Sequence, residues 1–299
     1  MQFKRAWKQV DGVLLLDKPI GLTSNDALQK ARRLFSAAKG GHTGTLDPLA
    51  TGLLPLCFGE ATKFSADLLD ADKTYEAVLK LGETTDSGDA EGEIIATAAV
   101  DVEKSDIFRV LPQFTGDIRQ IPPMHSALKR NGRPLYELAR KGIEVEREPR
   151  AVTIRAIDIL SFSGDTLSLR VACSKGTYIR VLAADIGKAL GCGAHLTGLR
   201  RTVVGDLGLA GSVTLAELEA LDAVGRAEHL QPVDALLHSL PRVTIEGEAA
   251  ERFRHGNPVD LAAGLAGKIR VYADGRLIGI GEPGTDGRLW PKRLVQLAA

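Results

Sequence analysis

The strand-like runs of this chain do not alternate with helices at the regular beat of a parallel βαβ fold, and that irregularity constrains its architecture most. Gly12–Asp17 reads as a buried strand. Ser24 is placed to cap a helix running to about Phe35, with Ala27, Ala31, Leu34 and Phe35 on one face. Residues 39–52 are rich in Gly and Thr and read as a loop, followed by a short apolar strand at Leu53–Phe58. Thr74–Leu81 alternates as a strand does, and the acidic Glu83–Glu93 stretch reads as a loop. Residues 152–173 predict a hairpin turning at Gly164-Asp165. Tyr178–Leu190 has helical spacing and stops at Gly191. The expected fold class is therefore α+β, with a mixed, largely antiparallel central sheet and flanking helices.

Two segments stand apart. Pro122–Arg150 is basic, contains Pro-Pro and has a short helical pattern at Leu135–Lys141, as an insertion out of the sheet would. Residues 214–240 are acidic and rich in Leu and Ala, and end before Pro241. Beyond them, Val271–Ile278 carries an Asp-Gly hairpin signal at Asp274-Gly275. This divides the chain into a domain at 1–240, with the insertion at about 122–150, and a small β-rich domain at 241–299.

Charge is balanced in sum, 38 basic against 38 acidic residues, but not in distribution. Residues 119–141 hold six basic groups and one acidic, and residues 168–205 likewise. Residues 1–39 hold eight basic and three acidic, and residues 252–293 eight and four. The compensating acids lie at 83–106 and 214–251, eight in each. Any one block reads as a solvated face, but converging basic blocks make a polyanion-binding surface that net charge conceals. Cys57, Cys173 and Cys192 form no even disulfide framework and read as reduced thiols. No apolar run approaches the ~18–20 residues of a membrane span, and no signal-peptide core precedes Asp17. A cytoplasmic protein is expected.

The window Gly41–Leu54 is the most unusual. Asp47 is its only carboxylate, flanked by Leu46 and Pro48 with glycines at both ends. The proline favours an extended Asp47, and the glycines permit close approach of another backbone or a ligand. A carboxylate in an apolar loop needs a cation or amide partners, and is then placed as a nucleophile or base. A turn Asp before Pro is the competing reading from the residues alone. There is no Gly-x-Ser-x-Gly, no phosphate-cradling loop and no dinucleotide fingerprint, and Cys192-Gly-Ala-His195 lacks partners for a metal.

Gly-His-Thr-Gly-Thr-Leu-Asp-Pro-Leu-Ala-Thr-Gly-Leu-Leu at 41–54 resembles the catalytic motif of the bacterial tRNA pseudouridine synthase B family. Leu16–Ser24, Lys73-Thr74-Tyr75, Ser174–Arg180 and Leu199–Thr202 resemble its other motifs in order. Residues 122–145 resemble its RNA-gripping insertion, and Arg252–Val295, more loosely, a PUA domain. His125 stands where some members carry Tyr. The resemblance implies a pseudouridine synthase fold and isomerisation of uridine 55 in the tRNA T-loop. The C1′–N1 bond breaks, the uracil turns, and C1′ rejoins at C5, with no cofactor or metal. It makes Asp47 the catalytic residue, acting at C1′, at the uracil ring or on a ribose proton. Arg180 is its cation, Tyr75 the stacking plate for the extruded base, and His42 the filler of the vacated space. Tyr178 and Leu199 line the base pocket, and Lys18 supports the pocket or a phosphate. Taken singly, Tyr75 and Leu199 read equally as core, Arg180 as a surface helix residue, His42 as a loop residue and Lys18 as part of a turn. The implied partner is the T-arm stem-loop of tRNA, bound by a monomer with no guide RNA and no membrane. A non-catalytic RNA-binding protein or tRNA chaperone on the same fold, or an enzyme acting on another RNA, are the rival functions.

Overall fold

The computed structural model describes residues 6–124, 126, 128–130, 132–139, 141–260 and 265–296. His125, and Arg140 of the basic block, lie outside the described residues. The elements that position the site are β1 (Gly12–Lys18), α1 (Ser24–Phe35), β2 (Ala50–Phe58), β3 (Lys73–Leu81), β4 (Gly116–Gln120), β5 (Arg150–Ser163), β6 (Thr166–Cys173), α2 (Ile179–Leu190) and β7 (Ala194–Val204). Across the main sheet the order is Val213–Thr214, β1, β2, β7, β3, β6, β5, β4. Neighbours run antiparallel except where β2 meets β7 and where Val213–Thr214 meets β1. This is the α+β architecture expected from the irregular order of elements.

The continuous apolar runs of β1 and β2 follow from burial on both sheet faces. Successive strand side chains point to opposite faces. Val13, Leu15, Leu53 and Cys57 enter one core with Val204 and Leu237. Leu14, Leu16, Leu54, Leu56 and Phe58 enter another with Ala27, Leu28 and Ala31 of α1. Farther along the sheet β3 alternates: Ala77 and Leu79 pack under Leu182, Ala183 and Ile186 of α2, while Glu76 and Lys80 stay partly exposed. Helix α2 ends at Gly191, whose φ of 85° suits a left-handed cap.

Three local readings need correction. Thr23, not Ser24, caps α1, accepting from Asp26 N. Ser24 is buried inside the first turn and its hydroxyl goes elsewhere. The 39–52 stretch is not loop throughout: Gly40–His42 pairs with β2, which already begins at Ala50. Glu83–Thr85 is a short strand paired with Ile94–Thr97. Such segments pair through backbone groups and carry no side-chain periodicity to announce them.

Strands β4 and β5 pair from Gln120 opposite Arg150, and residues 121–149 leave the sheet between them. Within that excursion Lys129–Arg130 pairs with Arg133–Pro134, and Leu135–Ala139 is helical. At the other end of the chain, α3 (Gly247–Arg254), β8 (Ile269–Ala273), β9 (Arg276–Pro283) and β10 (Arg288–Leu294) belong to a second, five-stranded sheet unit. Asp274 and Gly275 make its β8–β9 turn with φ of 52° and 74°, the positive values an Asp-Gly turn tolerates. Phe253, Ile269, Val271 and Leu289 form its own core. Tyr272, Leu277 and Ile280 face the other way, into the core containing Val13 and Leu53. Lys63 Nζ also donates to Leu294 O at 3.0 Å, so the small unit is fastened to the main one.

Candidate active site

The Asp47 loop has little regular structure, yet four neighbours fasten its backbone. Thr43 N donates to Pro55 O at 3.1 Å, and Gly21 N donates to Pro48 O at 2.8 Å. Ser24 Oγ accepts from Leu46 N at 2.7 Å and donates to Leu46 O at 3.1 Å. Arg201 Nη2 donates to Gly44 O at 3.3 Å, and Arg201 Nε to Leu53 O at 2.8 Å. Ala50 N closes a turn on Asp47 O at 3.0 Å. Gly52 is required where β2 crosses β7. Its φ is 96°, and a Cβ there would lie 2.2 Å from Arg201 O.

Asp47 meets Arg180 at the head of α2: Nη2 lies 3.0 Å from Asp47 Oδ2. Nη1 of the same guanidinium lies 3.1 Å from Asp89 Oδ2. An arginine in a first helical turn opposes the helix dipole, and two carboxylates supply the compensation. Asp89 and Arg180 are almost completely buried, while the Asp47 side chain is 41% exposed toward the cavity. Ser87 Oγ, at 2.6 Å, and Glu91 N, at 3.1 Å, donate to the other Asp89 oxygen. Burial pushes the Asp47 carboxyl above the ordinary Asp range; Arg180 opposes that, Asp89 reinforces it, and Lys18 opposes it more weakly. The outcome is a directed carboxylate, solvated on one side only, whose proton affinity exceeds that of a surface Asp.

A cavity of about 290 Å³ opens over this pair. Tyr75, Tyr178, Leu199, Arg180 and Asp47 all line it, with Arg201. Tyr75 comes from β3 and packs between two cores; Leu199 comes from β7, opposite Ala50 and Ala77. Burial raises the phenol pKa of Tyr75 and of Tyr178. Tyr178 is the N-cap of α2 but makes no side-chain cap bond. The buried Gln120 holds it instead, accepting from Tyr178 N at 2.9 Å and donating to Tyr178 O at 3.3 Å.

Five of the seven predicted residues therefore share one cavity. Lys18 and His42 are not among its lining. Lys18 is wholly buried beneath the loop and donates to Pro19 O at 2.9 Å and Leu22 O at 2.6 Å. Burial lowers its pKa to about 8, Asp47 opposing. The ammonium is thus turned to its own turn's carbonyls. His42 sits in the strand paired to Leu56, and burial, then Arg201, lowers its pKa. Sequence reasoning passed over Asp89, Arg201 and Gln120. Asp89 was hidden in an acidic run, Arg201 was quoted only within a motif, and Gln120 has no sequence signature.

The sheet and cavity define a class of RNA-modifying isomerase on comparison with known proteins. The model of the TruB family pseudouridylate synthase N-terminal domain matches residues 32–179. Two C-terminal models of that family match 180–238 and 241–295. The tRNA pseudouridine synthase B of Dechloromonas aromatica is 83% identical over 298 residues, spanning 100% of both chains. That of Aromatoleum aromaticum is 57% identical, covering 100% of this chain and 97% of its own. Among solved structures, a Cbf5-Nop10-Gar1 complex matches with a TM-score of 0.70 at 29% identity, over 91% of this chain and 78% of that one. An H/ACA RNP bound to a substrate RNA containing 2′-deoxyuridine matches at 0.71 and 25%, over 96% and 85%.

The chain belongs to the TruB family of tRNA pseudouridine synthases. It is an isomerase that converts uridine to pseudouridine in tRNA.

Proposed function

We propose that the target is uridine 55 in the T-loop and that Asp47 performs the chemistry on the extruded nucleotide. The observation that carries this reading is the single cavity in which Asp47, held by Arg180, faces Tyr75, Tyr178 and Leu199. The C1′–N1 bond breaks, uracil turns, C1′–C5 forms, and the C5 proton leaves to solvent while N1 gains one. Asp47 acts as an ionised carboxylate, and Arg180 keeps it aimed as uracil detaches. Tyr75 offers the face on which the base stacks, with Tyr178 and Leu199 closing the pocket. His42 fills the space the base vacates, and Lys18 braces the loop from below.

The basic segment at 121–149 grips the T-arm, and the 241–299 unit acts as a PUA-like extension along the RNA. The protein works in the cytoplasm as a monomer without guide RNA or cofactor; a built-in gripping segment supports the stand-alone reading. The test is tritium release from T-arm RNA labelled at C5 of its uridines. Release confined to position 55, and abolished by Asp47→Asn, is the expected result. Release from other positions defeats the site assignment, and undiminished release from Asp47→Asn defeats the residue assignment. Because Asp47 has a raised proton affinity, activity should fall on acidification at a pH above the ordinary Asp range.

A further inference from the structure

Strand β7 lies between β2 and β3, and Arg201 is the residue where both contacts tighten. Its register partner in β2 is Gly52, and its partner in β3 is Tyr75. Its side chain is wholly buried. Among the described residues no carboxylate pairs with it. A buried guanidinium without a counter-charge is costly, so the groups it does engage matter. They are Leu53 O at 2.8 Å and Gly44 O at 3.3 Å, which stand on either side of Asp47 in the chain. Its register partner Tyr75 lines the same cavity, and the two side chains interact electrostatically.

We infer that Arg201 is a positioning residue for the isomerisation, tying both shoulders of the Asp47 loop to the strand position opposite Tyr75 and so setting the gap between carboxylate and stacking ring. The inference rests on the proposed roles of Asp47 and Tyr75. It supplies what that chemistry needs at its most exposed moment. Once the C1′–N1 bond is broken, no covalent bond holds the base in place. The uracil must turn and present C5 to the same C1′, within a gap that does not widen. A planar fork with several fixed donors holds both loop carbonyls at once, which a lysine ammonium on a flexible stem does less well. Because Gly52 has no Cβ, β2 and β7 approach closely enough for the fork to reach both loop carbonyls.

Full-length Arg201→Met and Arg201→Lys proteins test this against a tRNA transcript, with single-turnover tritium release, RNA affinity and thermal melting measured together. Arg201→Met should react about 100-fold more slowly at saturating RNA, the scale of a misplacement near 1 Å. Its RNA affinity should stay within about threefold, since Arg201 contacts no solvent-facing phosphate site. Arg201→Lys should recover part of the lost rate. Tyr75→Phe completes a double-mutant cycle: if the two side chains act through one arrangement, their rate effects fall well short of multiplying. A folded Arg201→Met protein with wild-type rate, or effects that multiply, overturns the inference. Should Arg201→Met not fold, the cycle is run with Arg201→Lys and judged in the same way. An active Asp47→Asn protein would instead defeat the underlying roles, a result distinct from an inactive Asp47→Asn beside a fully active Arg201→Met.

Discussion

The Asp47 loop and the 121–149 excursion are both irregular, both rich in chain-breaking residues, and held in opposite ways. The loop's backbone is fastened by Ser24, Gly21, Pro55 and Arg201, contributed by α1, the turn before it, β2 and β7. The described bonds of the excursion stay nearer home: Arg147 donates to Pro122 O, Arg119 to Pro149 O, and Leu135 N to Leu128 O. Its anchorage is the paired root at Gln120 and Arg150. The difference fits the division of labour proposed for the two regions. Chemistry needs a carboxylate fixed to a fraction of an ångström, whereas gripping a nucleic acid needs charge that follows a phosphate path. Gln120 links the two regions, because the last residue of the sheet before the excursion also clamps the backbone of Tyr178.

The sharpest break in that comparison is Asp47→Asn. Turnover should vanish while tRNA affinity is retained. The melting temperature should equal or exceed wild type, because the substitution removes a charge whose burial is unfavourable and Arg180 keeps Asp89. A fall in melting temperature alongside lost activity would assign Asp47 a structural part instead. Gly52→Ala comes next. A Cβ 2.2 Å from Arg201 O, at a φ of 96°, forces β2 and β7 apart. Loss of about 2–3 kcal/mol in denaturant unfolding is expected. A rate loss of about 100-fold should accompany it.

The contrasting region should behave otherwise. Arg133→Glu with Lys141→Glu should weaken tRNA binding about tenfold at low salt and flatten the salt dependence by about two phosphate contacts. The rate at saturating RNA should hold within about twofold of wild type, on the same principle that phosphate contacts position and do not react. A large drop in saturating rate would show that the excursion shapes the chemical site. Ser24→Ala is milder, leaving Leu46 N buried without its acceptor at a cost of about 1–2 kcal/mol. Urea titration should read that cost, with a rate reduction smaller than that of Arg201→Met.

The last effect is in pH. Lys18 and Lys73 are both lowered to about 8 by burial, from an ordinary 10.5. Between those values the unfolded chain holds protons that the folded protein has released, so this contribution makes stability rise with pH. The cost of burying the ammonium is full below about pH 8 and is relieved toward 10.5. Lys18→Met should remove part of that rise in urea unfolding. An unchanged slope would mean that Lys18 titrates normally.

Much of the architecture was legible because it rests on local rules. The hairpin at Gly164-Asp165, the stop of α2 at Gly191 and the Asp-Gly turn at Asp274 all follow from positive backbone angles that few residues other than Gly adopt readily. Asp47 was legible because it is the one carboxylate in an apolar, Gly-bounded window. Asp89 was not, since a run of acids has one average character and only packing decides which member turns inward. Arg201 was quoted within a motif but not singled out, because a pair of adjacent arginines looks like surface. In the fold Arg200 faces outward to a bidentate pair with Asp17, and Arg201 is sealed under the loop. Strand alternation separates the two, and which face is inside depends on what covers the sheet.

By itself, then, the sequence determined the family, the α+β class, the window around Asp47 and the segregation of charge, since motif order, backbone preference and composition are written residue by residue. Tertiary structure alone decided that Asp89 shares Arg180 with Asp47, and that Arg201 holds both shoulders of the Asp47 loop from the strand position opposite Tyr75. Both depend on groups tens to more than a hundred positions apart meeting within hydrogen-bonding distance, where burial sets their charge and their use.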